Sequence, residues 1–150
     1  MASLSEEVLV ASEDDTFAFA ARLAPELKEG SVVALVGDLG AGKTAFVRGL
    51  ALAIGLAPGE RVSSPSYALV NEYFLAPSPD RTVEVLAHLD LYRIADSDEL
   101  ISIGYSDLLD EAIVVVEWPE RAPLVLADAT HILRFEVTGE TSRRITLTRR

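Results

Sequence analysis

Gly37-Asp38-Leu39-Gly40-Ala41-Gly42-Lys43-Thr44 has the form G-x-x-x-x-G-K-T, and its residue types suit one task, the holding of a polyphosphate. Glycines at 37, 40 and 42 let the backbone turn tightly and bring its N–H groups close to an anion. Asp38, Leu39, Ala41 and Ala45 complete the stretch whose main chain would line the phosphates. Lys43 carries a full charge to the β- and γ-phosphates, and the Thr44 hydroxyl is a ligand for Mg²⁺. The chain has two lysines, Lys28 and Lys43, among 13 basic residues. A lysine kept here, where arginine is the habitual cation, points to a need for a compact ammonium.

Phosphate chemistry also needs carboxylates. Ile113-Val114-Val115-Val116 runs straight into Glu117, a buried strand delivering one acid at its C-terminal end, where open α/β sheets bind ligands. Glu117 can hold Mg²⁺ through water or orient the attacking water. His88-Leu89-Asp90-Leu91-Tyr92-Arg93 ends a second strand. Asp90 is the second candidate for metal or water, and Arg93 is suited to stabilising phosphate charge. His88 by itself reads as a structural hydrogen-bonding residue. Trp118, the single tryptophan, fits either a place beside the nucleotide or the core.

These residues need elements to position them. Val32 to Val36 is a short apolar, β-branched run and reads as a buried strand, and Ala45 to Ile54 reads as a helix ended by Gly55. Strand, loop and helix are the context the phosphate motif requires, and the new helix points its positive end at the anion. Val8 to Val10 reads as a short edge strand, and Ser12-Glu13-Asp14-Asp15 resembles a capping box opening a helix. Further strands are expected at Tyr67–Leu75, Thr82–Leu89, Ala112–Val116, Ile132–Val137 and Ile145–Thr148, the last two as a C-terminal hairpin around Gly139-Glu140. A helix is expected from Asp96 to Leu109, broken at Gly104. Arg61 to Pro65 reads as a Ser/Pro loop. Strands alternating with helices, plus hairpins, predict an α/β, P-loop NTPase-like three-layer fold with a mixed, mainly parallel sheet, in one domain over residues 1–150.

Composition bounds the function. Net charge is −11 and the pI about 4.5, a field that repels nucleic acid and argues against direct, tight RNA binding. The basic cluster Arg143, Arg144, Arg149 and Arg150 reads as a solvated strand face. There is no cysteine, which removes disulfides and thiolate metal sites. No run approaches a membrane span and the N-terminus lacks the pattern of a signal peptide, so a cytoplasmic protein without membrane contact is expected. The sole asparagine, Asn71, sits in Asn71-Glu72-Tyr73, which excludes an N-K-x-D guanine reader, and glutamine is absent. Water positioning therefore falls to carboxylates, and ATP is favoured over GTP.

Four segments then occur in a familiar order: Gly37 to Thr44; Val62-x-Ser64-Pro65-Ser66-Tyr67-x-Leu69-Val70; His88-x-Asp90-Leu91-Tyr92-Arg93; and Glu117-Trp118-Pro119-Glu120. In order and spacing the chain resembles the TsaE family over roughly residues 12 to 137. Those are small bacterial ATPases of tRNA threonylcarbamoyladenosine biosynthesis. Ser66 stands where the family usually has threonine, and a hydroxyl is kept.

The resemblance implies a protein that binds and hydrolyses ATP with Mg²⁺. It implies partners TsaB and TsaD, which transfer a threonylcarbamoyl group to the adenosine beside the anticodon, with tRNA met only indirectly. The hydroxyls of Ser64 and Ser66 are placed to form a switch that senses γ-phosphate or metal. The competing readings are a small P-loop metabolite kinase, which would need an acceptor pocket and an arginine-rich lid, and a nucleotide-sensing module with negligible hydrolysis.

Overall fold

The computed structural model describes residues 4–57, 59–63, 65 and 69–150. Seven strands form one sheet: β1 (Leu4–Val10), β2 (Val32–Val36), β3 (Val70–Phe74), β4 (Val85–Asp90), β5 (Ala112–Glu117), β6 (His131–Val137) and β7 (Arg143–Arg149). Their spatial order is β1-β7-β6-β2-β5-β4-β3. The helices are α1 (Glu13–Leu23), α2 (Lys43–Ile54), α3 (Ser97–Ser102), α4 (Tyr105–Glu111) and α5 (Pro123–Asp128).

The centre of the sheet is parallel, with β2 between β5 and β6 and β4 beside β5. The pairings β1–β7, β6–β7 and β3–β4 are antiparallel and form the flanks. The sheet is thus mixed, as expected, with its parallel share confined to the four central strands. From β2 the chain crosses to the β4 side; from β5 it crosses back to β6. The two departures diverge at β2, and a crevice opens there at the carboxyl ends of the strands.

The apolar runs explain the layers. In β2, Val33 and Leu35 join the cluster holding Phe19, Leu23, Phe46 and Leu50 of α1 and α2. Val32 and Ala34 join the opposite cluster, with Leu100, Tyr105, Leu108 and Val125 of α3, α4 and α5. A strand covered on both faces must be apolar at every position, and hence β2 and β5 read as continuous rather than alternating runs. Phe46 ties the first layer together. Its ring lies 6.0 Å from that of Phe19 and 5.9 Å, edge-on, from that of Phe135 on β6, which fixes α2 against the sheet just beyond its first turn. Burying such a side chain contributes about 1.5–3 kcal/mol.

Several boundaries moved. β1 begins at Leu4, four residues before the expected start, because seven residues pair with β7 along the edge. β4 starts at Val85 rather than Thr82, and extends through Asp90. The expected break at Gly104 is present: this glycine takes φ +78° between α3 and α4, a conformation that L side chains avoid. Ser12 caps α1 by accepting from the Asp15 N–H, and the Asp15 carboxylate accepts in return from the Ala11 N–H at 2.9 Å. The sequence reading did not include α5, although Pro123 opens it at the first helical position. It is six residues long with no side-chain cap, and the burial of Val125 holds it. No helix among the described residues is long and apolar enough to cross a membrane.

Candidate functional site

The glycine-rich loop leaves the end of β2 and enters α2 through Gly42, whose φ of +102° turns the chain into the helix. The first N–H groups of a helix have no intrahelical partner and face outward along its axis, with the positive end of the helix dipole behind them. Gly37 lies at the base of the loop. A Cβ there would come within 2.9 Å of the Phe135 carbonyl oxygen and 3.3 Å of the Ala41 side chain, so the residue type is fixed by β6 passing beneath. Ala41 is buried, and its N–H donates to the Asp38 carbonyl at 3.1 Å, closing the turn.

One cleft of about 540 Å³ opens over this loop. It is lined by Leu39, Gly40, Gly42, Lys43, Thr44 and Ala45 from the loop and helix. Asp90 enters from the end of β4 and Glu117 from the end of β5. The structure brings both carboxylates to the loop because the two strands are parallel neighbours in a register that sets Asp90 directly opposite Glu117. Gly37, Asp38 and Ala41 lie outside the lining and shape the loop from below or beside it. Ser64 and Ser66 lie outside the described residues. The last described residue before them, Ser63, is tied to β3: its N–H donates to the Tyr73 hydroxyl at 3.0 Å, and its carbonyl accepts from the Asn71 side chain at 3.0 Å.

Lys43 is 5% exposed. Its ammonium donates to the Gly37 carbonyl at 2.6 Å and sits 3.8 Å from the centroid of the Trp118 ring. Burial holds its pKa below the ordinary lysine value, against the pull of Glu117, Glu120, Asp90 and Asp38. Desolvation of the cation is thus the largest influence, and an anion of high charge density would relieve it. Both carboxylates have one oxygen engaged. Asp90 Oδ1 accepts from the Tyr92 N–H at 3.0 Å. Glu117 Oε2 lies 2.6 Å from His88 Nε2, a pair buried beneath the cleft.

Three residues to which sequence reasoning had not committed a place in the site join it: Trp118, Tyr92 and Arg143. Trp118 has φ +57°, the left-handed region, in the turn after β5. That conformation is costly for a bulky residue, and it swings the indole over Lys43. Tyr92 packs on Trp118 with ring centroids 5.0 Å apart, and the Arg121 guanidinium lies over Tyr92 at 5.5 Å. Arg143 departs from the expected solvated strand face: it lines the cleft and donates to the Gly40 carbonyl at 3.2 Å. Its place follows from hairpin register, which no local pattern encodes. Arg144 and Arg149 do fit the surface reading, in ion pairs with Glu7 and Glu136 and with Glu6 and Glu26. Arg93 lines the cleft as well.

Comparison with known proteins gives one consistent result. The family profile described as "Threonylcarbamoyl adenosine biosynthesis protein TsaE" matches residues 10–145. The tRNA threonylcarbamoyladenosine biosynthesis protein TsaE of Aquifex aeolicus is 38% identical over 147 residues, 98% of each chain. The protein of the same name from Treponema pallidum is 34% identical over 137 residues, 91% of this chain and 95% of its own. Among solved structures, the crystal structure of Bacillus subtilis YdiB superposes with a TM-score of 0.69 at 27% identity, covering 99% of this chain and 88% of that one.

Proposed function

Because the chain belongs to the TsaE family of threonylcarbamoyl adenosine biosynthesis proteins, we propose that it is the Mg²⁺-dependent ATP-binding and ATP-hydrolysing subunit of that pathway. It acts in the cytoplasm with TsaB and TsaD, and meets tRNA only through them. It does not itself transfer the threonylcarbamoyl group. The observation that supports this best is the convergence of Lys43 and Thr44 with Asp90 and Glu117 in one cleft at the carboxyl ends of β2, β4 and β5.

On this reading the loop N–H groups and the start of α2 hold the phosphates, and Lys43 exchanges its contact with the Gly37 carbonyl for the β- and γ-phosphates. The donor set suits Mg²⁺, which takes oxygen ligands and keeps several waters while using one or two protein groups plus substrate phosphate. Among the described residues no group of three or more His, Cys, Asp or Glu could cage a metal alone. Thr44 and Glu117 are the protein ligands proposed here, with Asp90 alongside. When bound, the ion offsets charge on the β- and γ-phosphoryl oxygens. The carboxylates of Asp90 and Glu117, each steadied through one oxygen, orient the attacking water. Arg93 and Arg143 line the cleft as cations for transition-state charge.

The deciding experiment is an ATP-consumption assay on the protein alone, with small-molecule acceptors, and with TsaB plus TsaD. Slow turnover alone, raised by the two proteins and weakened by salt, is expected. Turnover driven by a small acceptor and indifferent to the proteins would replace this reading with a metabolite kinase. Tight ATP binding with no turnover under any condition would leave a nucleotide sensor.

A further inference from the structure

The two histidines of this chain are held differently. His131 has both ring nitrogens engaged: Nδ1 with the Thr130 hydroxyl at 2.8 Å and Nε2 with the Glu26 carboxylate at 3.3 Å. A histidine that only completes a fold is satisfied in this way. His88 is 0% exposed, with Nε2 2.6 Å from Glu117 Oε2, while Nδ1 is buried without a hydrogen-bond partner among the described residues. An orphaned buried polar atom carries a desolvation cost that an apolar residue at the same position would avoid. Among the described residues, the return on that cost is the contact with Glu117.

Topology makes the contact specific. Asp90 faces Glu117 across the parallel pair. His88, two residues earlier on β4, shares the face of Asp90 and reaches Glu117 from the sheet side. His88 does not line the cleft, whereas Glu117 does. Its route to anything bound in the cleft is therefore through the carboxylate. Glutamate has three side-chain torsions, and one oxygen pinned by a rigid imidazole fixes the plane in which the other is presented.

We infer that His88 is a positioning residue for Glu117: its Nε2–H holds one carboxylate oxygen from beneath so that the other is aimed at the metal and water side of the cleft. This inference rests on the ATPase reading above. Outer partners that orient a metal-site ligand typically change activity or metal affinity by about 10- to 100-fold when removed.

The test compares His88→Leu, which removes the donor, with His88→Gln, whose amide can offer an N–H near the same place. Both are made in the wild-type and Glu117→Gln backgrounds. kcat should fall by about tenfold or more in His88→Leu, with KM for ATP little changed, and most of it should return in His88→Gln. In the Glu117→Gln background, His88→Leu should cost almost nothing further, because both changes act on one interaction. Should the leucine variant not fold, His88→Asn, too short to reach Glu117, gives the same reading. Wild-type kcat in a folded His88→Leu or His88→Asn protein overturns the inference. So does a loss that multiplies fully onto Glu117→Gln. If the wild type binds ATP without hydrolysing it, the ATPase reading fails alone, and the readout becomes the Mg²⁺ concentration needed for nucleotide binding. A severalfold rise in His88→Leu, reversed in His88→Gln, then supports the inference, and no change overturns it. A wild type that neither binds nor hydrolyses ATP ends both.

Discussion

The ammonium of Lys43 lies 3.8 Å from the centroid of the Trp118 ring while hydrogen-bonded to the Gly37 carbonyl. The loop lysine is thus pre-aimed across the phosphate loop and shielded from water on one side by an indole. The left-handed turn at Trp118 supplies that shield. A desolvated cation over an aromatic face gains about 2 kcal/mol or more. The burial that lowers the lysine's pKa opposes it. The arrangement therefore favours exchange of the ring for an anion.

Lys43→Ala should abolish useful ATP binding or hydrolysis while leaving the fold intact. Hydrogen bonds to charged groups contribute about 1.5–3 kcal/mol, which makes the loss in affinity at least about tenfold. Since burial disfavours the charged lysine, the thermal midpoint should hold or rise slightly. Calorimetric titration with ATP and a melting curve check both parts. Wild-type affinity and turnover in the folded variant would defeat the assignment of the loop.

Glu117→Ala should lower hydrolysis more than ATP affinity. On the proposed reading the loop and α2 hold the phosphates, whereas Glu117 stands at the opposite wall beside Asp90. The drop should appear in kcat and kcat/KM together, the mark of an interaction made in the transition state. A loss confined to KM would show that Glu117 serves ground-state binding.

The loop, Lys43, Thr44, Asp90 and Glu117 were legible in the sequence because each follows from a local pattern: a motif between strand and helix, or an apolar run ending in an acid. Arg143 was not legible. It reaches Gly40 across 103 positions of sequence, through the pairing of β7 with β6 and of β6 with β2. His88 was visible as a residue but not as a partner of Glu117, because the contact depends on the β4–β5 register. The helix α5 was missed since fewer than two turns carry no usable periodicity. Ser64 and Ser66, expected from the sequence to form a switch, lie outside the described residues.

Gly49→Ala should destabilise the fold, against the usual sign. Glycine to alanine inside a helix ordinarily gains about 1 kcal/mol. Here a Cβ at residue 49 would lie 2.9 Å from Phe17 Cδ1 and 3.0 Å from Phe17 Cα. The ring atom can rotate away, but the backbone atom cannot move without shifting α1. Overpacking costs about 1–3 kcal/mol, so the net change should be a loss of about 1 kcal/mol. For a domain of this size that lowers Tm by about 2–4 °C. A raised midpoint would show that α1 adjusts freely.

Acid should lower the stability of the fold in two stages traceable to one pair, His131 and Glu26. Burial is the largest influence on His131 and holds its pKa below the ordinary 6.5, against the hydrogen bond to Glu26. The unfolded chain then binds a proton that the folded chain refuses, so stability falls as pH drops through 6.5 toward the lower folded value. The hydrogen bond from Arg149 is the largest influence on Glu26 and holds its carboxyl below the ordinary 4.5. Its contribution is complete above that value and is lost as pH falls from 4.5 toward the folded pKa. Both effects have the same sign, and the histidine acts first. Melting curves from pH 8 to pH 3 should show Tm falling from just below pH 6.5 and more steeply below 4.5. His131→Gln, which can still donate to Glu26 but does not titrate, should flatten the upper part of that profile and leave the lower part. A profile unchanged by His131→Gln would place the acid sensitivity elsewhere in the chain.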